Sequence, residues 1–329
     1  MRERAVTNGE RFGYQYHYRI SYGKRRVPVY RVYARPLVGV IPIPESPFTG
    51  RANVLFACEV DVEVLGEDFL PAYTEGDNRT VVATDSMKNI ILKEALDYDG
   101  ATLEGYLAAV GHRFIERYDQ LHDLRLSVRE LPFPAATVPD AASEGSFHES
   151  DVLFSGSGEA EDHAVAHLHL RRDGDAVGVT AHECGRVGLK LLKVTGSAFT
   201  AFVRDEHTTL PDRRDRPLFI YLDVFWRYAA VDDLLGTPAT YVPAEQVRDL
   251  CRAVFHAFVS ESIQHLVHEM GKRLLARFSQ LAEVRFVAQN RTRDPFYASE
   301  TDLAVKVYSD PFSAYGEITL RMRRRVGEG

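Results

Sequence analysis

The chain has 329 residues, 45% of them hydrophobic and 26% charged, which is globular composition with room for a large core or two domains of ordinary size. A formal net charge of −7 argues against a nucleic-acid partner, which would show a basic stripe. No apolar run approaches membrane-spanning length, MRERAVTNGERFG at the start holds no apolar signal core, and Arg-Val-Gly-Glu-Gly at the end is no peroxisomal address.

Tyr14 to Tyr22 alternates aromatic and polar residues, breaks at Gly23-Lys24 and resumes as Val27 to Val32, the pattern of a β-hairpin with Lys24 at its tip. Residues 37–55 hold several prolines and read as an irregular excursion. Asn53 to Leu65 alternates again as a strand. A helix is expected from Asp85 to about Leu96, with Met87, Ile90 and Ile91 inward. A second starts at Thr102, its buried face formed by Leu103, Tyr106, Leu107, Val110 and Phe114. Leu124 to Leu131 and His163 to Leu170 read as strands. Residues 134–161 between them are rich in Pro, Gly, Ser and acidic side chains and read as a mobile surface loop.

The same order then returns. Val177 to Val194 and Leu218 to Tyr228 are expected strands, and residues 244–275 are helical. Val247, Leu250, Cys251, Val254, Phe255 and Phe258 form one stripe there, and Ser260-Glu261-Ser262 breaks the segment. Leu281 to Ala288, Leu303 to Tyr308 and Gly316 to Met322 follow as strands, and Arg321 to Arg325 reads as a solvated tail. No sequence identity links the halves, but element order does. The turn at Arg172-Asp173-Gly174 divides the chain into units 1–173 and 174–329. Strand pairs interrupted by helix pairs predict an α+β fold, antiparallel sheet with helices on one face.

The most informative segment is Val81-Val82-Ala83-Thr84-Asp85-Ser86-Met87-Lys88-Asn89. A helix start there offers unpaired N–H groups and the positive end of the dipole to an anion. An ordinary cap by Thr84 or Asp85 is the competing reading. Further along, Tyr22-Gly23-Lys24 precedes Val-Pro-Val-Tyr-Arg-Val, and Gly196-Ser197-Ala198-Phe199-Thr200-Ala201-Phe202-Val203-Arg204-Asp205-Glu206-His207-Thr208-Thr209-Leu210 runs on to Asp215-Arg216. Ser260-Glu261-Ser262-Ile263-Gln264 and Gln289-Asn290-Arg291-Thr292 complete the series. In this order the five segments resemble urate oxidase (uricase), over most of residues 14–322.

The resemblance implies two tandem tunnelling-fold ββααββ domains that assemble into a barrel in a homotetramer, with sites between subunits. It implies oxidation of urate by O2 without a cofactor or metal. It assigns purine binding to Thr84, Asp85, Phe199, Arg216, Ile263, Gln264 and Asn290. The residue types suit a flat, weakly acidic purine. Arg216 is a planar two-toothed donor, Gln264 offers both a donor and an acceptor, and Phe199 offers a stacking face. Lys24 and Thr84 are the implied catalytic pair, a desolvated lysine drawing the hydroxyl proton, and Asn290 is the group holding water or O2. Many members of the family carry Asn-x-His in the last turn. Here Thr292 stands in the third place, leaving Thr292 with water, or another histidine, as the candidate relay.

Cys58, Cys184 and Cys251 are far apart, odd in number and without CxxC spacing, so neither a disulfide framework nor a thiolate zinc site is expected, and a reduced cytoplasmic compartment fits. His163, His167 and His169 share strand parity, and His265-Leu266-Val267-His268-Glu269 is not HExxH. Neither set completes a metal site. Two rival readings remain open: a metal-dependent purine or pterin hydrolase using the histidine face, and a purine-binding protein whose relay has decayed.

Overall fold

The computed structural model describes residues 16–141, 143, 145–156, 162–309 and 313–324. Side-chain alternation builds its main sheet. In β2 (Leu55–Leu65), which pairs with β1 (Ser21–Val32), Cys58, Val60, Val62 and Val64 are buried, while Glu59, Asp61 and Glu63 point to the other face. A short helix α1 (Leu70–Thr74) precedes α2 (Thr84–Asp97) and α3 (Leu103–Arg117). Met87 and Ile91 of α2, with Tyr106, Leu107, Val110 and Phe114 of α3, are fully buried in the same core as the β2 valines. β3 (Asp123–Glu130), β4 (Ala135–Pro139), β5 (Phe147–Phe154) and β6 (His163–Asp173) follow.

The second half runs β7 (Ala176–Lys193), β8 (Leu218–Tyr228), α4 (Val231–Leu235), α5 (Ala244–Ala257), α6 (Ile263–Arg277), β9 (Leu281–Asn290), β10 (Tyr297–Ala298), β11 (Lys306–Val307) and β12 (Gly316–Arg323). One eight-stranded sheet has the order β1-β2-β3-β6-β7-β8-β9-β12, with antiparallel neighbours throughout. β1 and β12 are therefore its two open edges, and the fold is α+β in two tandem ββααββ repeats.

The repeats share many equivalent hydrogen bonds. The Val82 N–H before α2 and the Val242 N–H before α5 each donate to a tyrosine Oη at 2.9 Å, although Tyr22 comes from the first strand of its repeat and Tyr228 from the second. Gln120 donates to the Thr80 carbonyl and Gln280 to that of Thr240. Thr102 caps α3 and Ser262 caps α6. Both first strands bulge at the same place. Register slips between Lys24 and Val27 in β1 and between Arg186 and Leu189 in β7. Asp61 accepts from the Arg26 N–H and Asp223 from the Gly188 N–H, bracing each bulge. Leu37 and Arg51 exchange two backbone hydrogen bonds, as do Phe199 and Arg213. The echo lies in backbone bonding and buried spacing, which many side chains satisfy.

Several expectations are corrected. Gly23 and Lys24 form no hairpin tip. They lie within β1 opposite Glu63 and Val62, just before the bulge, where Arg26 takes φ 55°; Tyr14 lies outside the described residues. A side chain at Gly23 would put Cβ 1.9 Å from the Val62 carbonyl oxygen, so the close approach of β2 requires glycine here. The expected loop 134–161 is largely the β4–β5 hairpin, with 157–161 outside the described residues. Of Leu303–Tyr308, only Lys306–Val307 is strand, paired with β10 and outside the main sheet. Arg321 and Arg323 belong to β12 and pair with Glu283 rather than forming a solvated tail; Arg325 lies outside the described residues. The cap position of α2 is Ala83, whose side chain makes no capping bond, so neither Thr84 nor Asp85 serves as its cap.

Candidate active site

Two groups of residues emerge at separate places. The first gathers where β1 meets the start of α2. Tyr22 ties the segment before α2 to the sheet through the Val82 N–H. Thr84 and Asp85, the first residues of α2, are exposed. With no side-chain cap, first-turn N–H groups of α2 remain available to an acceptor. Lys24 is half-buried in β1, close enough to Asp85 to help lower its pKa. The larger cause is the Lys88 ammonium, hydrogen-bonded to the Asp85 carboxylate at 2.7 Å.

The second group surrounds an open cleft of about 580 Å³ lined by Arg213, Arg216, Asn290, Thr292, Asp294 and Tyr308, among others. A strap between β7 and β8 carries Phe199 and Arg216, and long-range bonds hold it. Asp215 accepts from the Gly196 N–H and the Thr195 hydroxyl, both at 2.7 Å. The Ala198 N–H donates to the Ser260 carbonyl at 2.8 Å, tying the strap to the segment that starts α6. At that start Ile263 is buried and Gln264 exposed. Ala201, at φ 58°, turns the chain so that Phe202 stacks parallel on Phe199 with centroids 4.9 Å apart, the contact a flat purine would make.

Arg216 stands out chemically. Its guanidinium carbon lies 5.3 Å from the centroid of Phe199, and its Nε is buried without a hydrogen-bond partner. Burial lowers its pKa; Asp294 opposes that and Arg213 adds to it. A cation with an orphaned donor beside an open cleft costs free energy until an acceptor fills the place. Asn290 Oδ1 accepts from the Thr292 N–H at 3.0 Å, which closes the last turn. The Thr292 hydroxyl accepts from the Phe219 N–H at 3.0 Å and faces the Phe219 carbonyl at 3.4 Å. It is engaged in anchoring that turn to β8.

The fold brings Lys24, Thr84 and Asp85 together in one place and gathers Phe199, Arg216 and Asn290, with Ile263 and Gln264 at the strap's Ser260 tie, in another. It does not join the two sets within one chain. Lys24 lies on edge strand β1 and Asn290 on β9, six places along the sheet, roughly 29 Å at about 4.8 Å per strand. Arg213, Asp294, Lys306 and Tyr308 also line the cleft and were not singled out from sequence. Arg213 donates to Asp294 at 2.5 Å. The Pro-Asp-Arg-Arg-Asp-Arg run was the available signal for Arg213; nothing local marks Asp294 as its partner.

His167 and His169 project from the face of β6 opposite the buried core residues, and His169 bonds Asp123. Among the described residues, no group of three or more His, Cys, Asp or Glu side chains is placed to hold a metal.

The residues that match known proteins span both repeats. The uricase family profile matches residues 20–161 and 182–319. A uricase of Haloferax volcanii is 50% identical over 274 residues, covering 83% of this chain and 88% of that protein. The uric acid degradation bifunctional protein PucL of Bacillus subtilis is 43% identical over 298 residues, 90% of this chain and 59% of that one. The crystal structure of urate oxidase from Bacillus sp. TB-90 superposes with a TM-score of 0.88 at 41% identity, covering 93% of this chain and 100% of that chain. On family profile, identity and fold together, this chain belongs to the uricase family.

Proposed function

We propose that the chain is a urate oxidase, converting urate, O2 and water to 5-hydroxyisourate and H2O2 in purine breakdown. Urate supplies two electrons to O2, and water supplies the oxygen that bonds to C5, so no cofactor is called for. The carrying observation is the partnerless Arg216 Nε, set beside Phe199 and in a cleft shared with Asn290, in a chain of the uricase family. Arg216 and Gln264 grip the amide-like edges of the purine, with the Ile263 backbone beside Gln264. Phe199 stacks on the ring, and Asn290 holds water or O2 above it. Lys24 draws the proton of the Thr84 hydroxyl and so helps deprotonate urate, while Thr84 and Asp85 present backbone N–H groups. Fixed polar groups in a closed site lower the barrier through orientation and preorganised charge. The engaged Thr292 hydroxyl favours an anchoring role over a proton relay.

The two residue sets meet between subunits of a homotetramer. The seam between the repeats supports this, since it already joins the equivalent positions within one chain. Repeat one contributes Leu37, Arg51, Glu104 and Glu130, matching Phe199, Arg213, Gln264 and Asn290. Repeat two contributes Arg186, Ala244 and Glu245, matching Lys24, Thr84 and Asp85. There Arg186 reaches Glu130 at 3.0 Å, and β6 pairs antiparallel with β7. Pairing β12 of one copy with β1 of the next repeats that arrangement, satisfies both open edges and closes a barrel. We place the division of the chain at 1–173 and 174–329, in the turn between β6 and β7. No helix among the described residues is long and apolar enough to cross a membrane. The buried free thiols of Cys58, Cys184 and Cys251 support a reduced, cytoplasmic setting.

An oxygen electrode with chelator-treated protein and urate, read alongside urate absorbance, tests the activity. Equimolar loss of O2 and urate is expected. Tight urate binding without O2 uptake would overturn it.

A further inference from the structure

We infer that Arg213 of one chain and Asp85 of a second copy form an ion pair across the subunit boundary, docking the Thr84 helix start onto the Phe199–Arg216 strap. This rests on the intersubunit site proposed above.

The seam between the repeats supplies the template. Arg51 occupies in repeat one the position of Arg213 in repeat two. Each is locked by a two-way backbone bridge, Arg51 to Leu37 and Arg213 to Phe199. Glu245 is the second residue of α5 as Asp85 is of α2. In the seam the Arg51 guanidinium bonds the Glu245 carboxylate directly and lies 3.3 Å from Glu130. The neighbouring cation differs in detail: Lys88 bonds Asp85, whereas its α5 counterpart Arg248 bonds Asp249 at 2.8 Å, with Glu245 a lesser influence on its charge. Glu245 thus meets an arginine of the opposite repeat, and Asp85 holds the equivalent position at the start of α2.

Within the single chain the Asp85 carboxylate bonds Lys88 and Asn89 of its own helix, and its side chain is still 72% exposed, leaving room for an arginine. Arg213 meanwhile pairs with Asp294, itself 59% exposed. One guanidinium can serve two carboxylates at once through its fork of donors, as Arg51 does with Glu130 and Glu245. Joined this way, Arg213 links the last active-site turn, through Asp294, to the partner's α2. Arg213 and Asp85 act here as positioning residues, holding the two halves in register, so the effect falls on assembly and turnover together.

The test is a charge-reversal cycle with a proximity readout. R213D and D85R are each expected to lower kcat/KM for urate by at least about tenfold and to weaken the oligomer in sedimentation, because like charges then meet. R213D/D85R should recover most of both losses. Independently, D85C/R213C treated with a short bis-maleimide should give covalent dimers on a denaturing gel, and neither single-cysteine variant should. The native cysteines are buried. No interchain link in D85C/R213C, with a double reversal no better than the singles, overturns the pair even if wild-type protein oxidises urate. A monomeric wild type overturns it too. Linked dimers from a chain that leaves urate untouched support the pair and sink the oxidase reading alone.

Discussion

The seam between the repeats and the cleft at Arg216 are built on equivalent backbone positions, yet the seam is filled with its own charges and the cleft is open. In the seam, Arg51, Arg186, Glu130 and Glu245 neutralise one another. Burial acts to raise the pKa of Glu130, but Arg51 and Arg186 hold it below the usual carboxylate range. In the second repeat, Asn290 in the cleft replaces Glu130, and around it Gln264 replaces Glu104 and Phe199 replaces Leu37. Each change trades an ionisable or aliphatic group for one that can hydrogen-bond or stack on a flat ligand. At the helix starts, α5 is closed by Glu245 paired to Arg51 and by Gln246 donating to the carbonyls of Ile41 and Phe48, whereas α2 stays exposed. The fold repeats one backbone design twice, and the side chains decide which copy is closed on itself and which is left open.

The largest effect should come from removing what the seam lacks. Thr84→Ala makes the position like Ala244, and turnover should fall by about a hundredfold or more, with the oligomer retained in sedimentation. Wild-type O2 uptake in this variant would break the contrast between the two helix starts.

Next is Glu104, the seam counterpart of Gln264. Burial raises its pKa to about 7, with Tyr241 donating to it at 3.1 Å. A carboxyl with a raised folded pKa favours the protonated native state. Stability therefore falls as pH rises from about 4.5 to about 7 and stays reduced above that. Glu104→Gln should stabilise the protein on the order of 3 kcal/mol at pH 8 and little at pH 4.5. Denaturant melts at the two pH values decide, and a pH-independent gain would mean the carboxyl is not the cause.

Arg216→Gln should raise KM for urate about ten- to a hundredfold, the scale of a lost charge-assisted hydrogen bond, with a smaller change in kcat. An unchanged KM would remove Arg216 from the site.

The smallest effect belongs to Thr292. If its hydroxyl anchors the turn to Phe219, Thr292→Val should cost about 1 kcal/mol of stability and leave turnover within a few-fold. A hundredfold loss of kcat with unchanged melting would restore it as the relay.

How much of this was legible in sequence varies by element. The α3 stripe from Leu103 to Phe114 and the Thr102 cap followed from local spacing, because a 3.6-residue period and a cap are local properties. Most of the main-sheet strands were likewise written in alternation. The break at Gly23-Lys24 misled, since a bulge and a hairpin turn both interrupt alternation, and only the partner strand distinguishes them. The 134–161 segment hid a hairpin because its composition matches that of loops.

The sequence by itself determined the α+β class, the repeated ββααββ order, and the residue types suited to a purine, since periodicity and functional groups are carried residue by residue. Only the tertiary structure decided that Lys24 and Thr84 sit on the opposite side of the sheet order from Asn290, that Arg213 meets Asp294, and that Arg216 keeps an unmet donor. Those facts depend on which distant backbone segments pair, and pairing is set by the whole core rather than by any local run of residues.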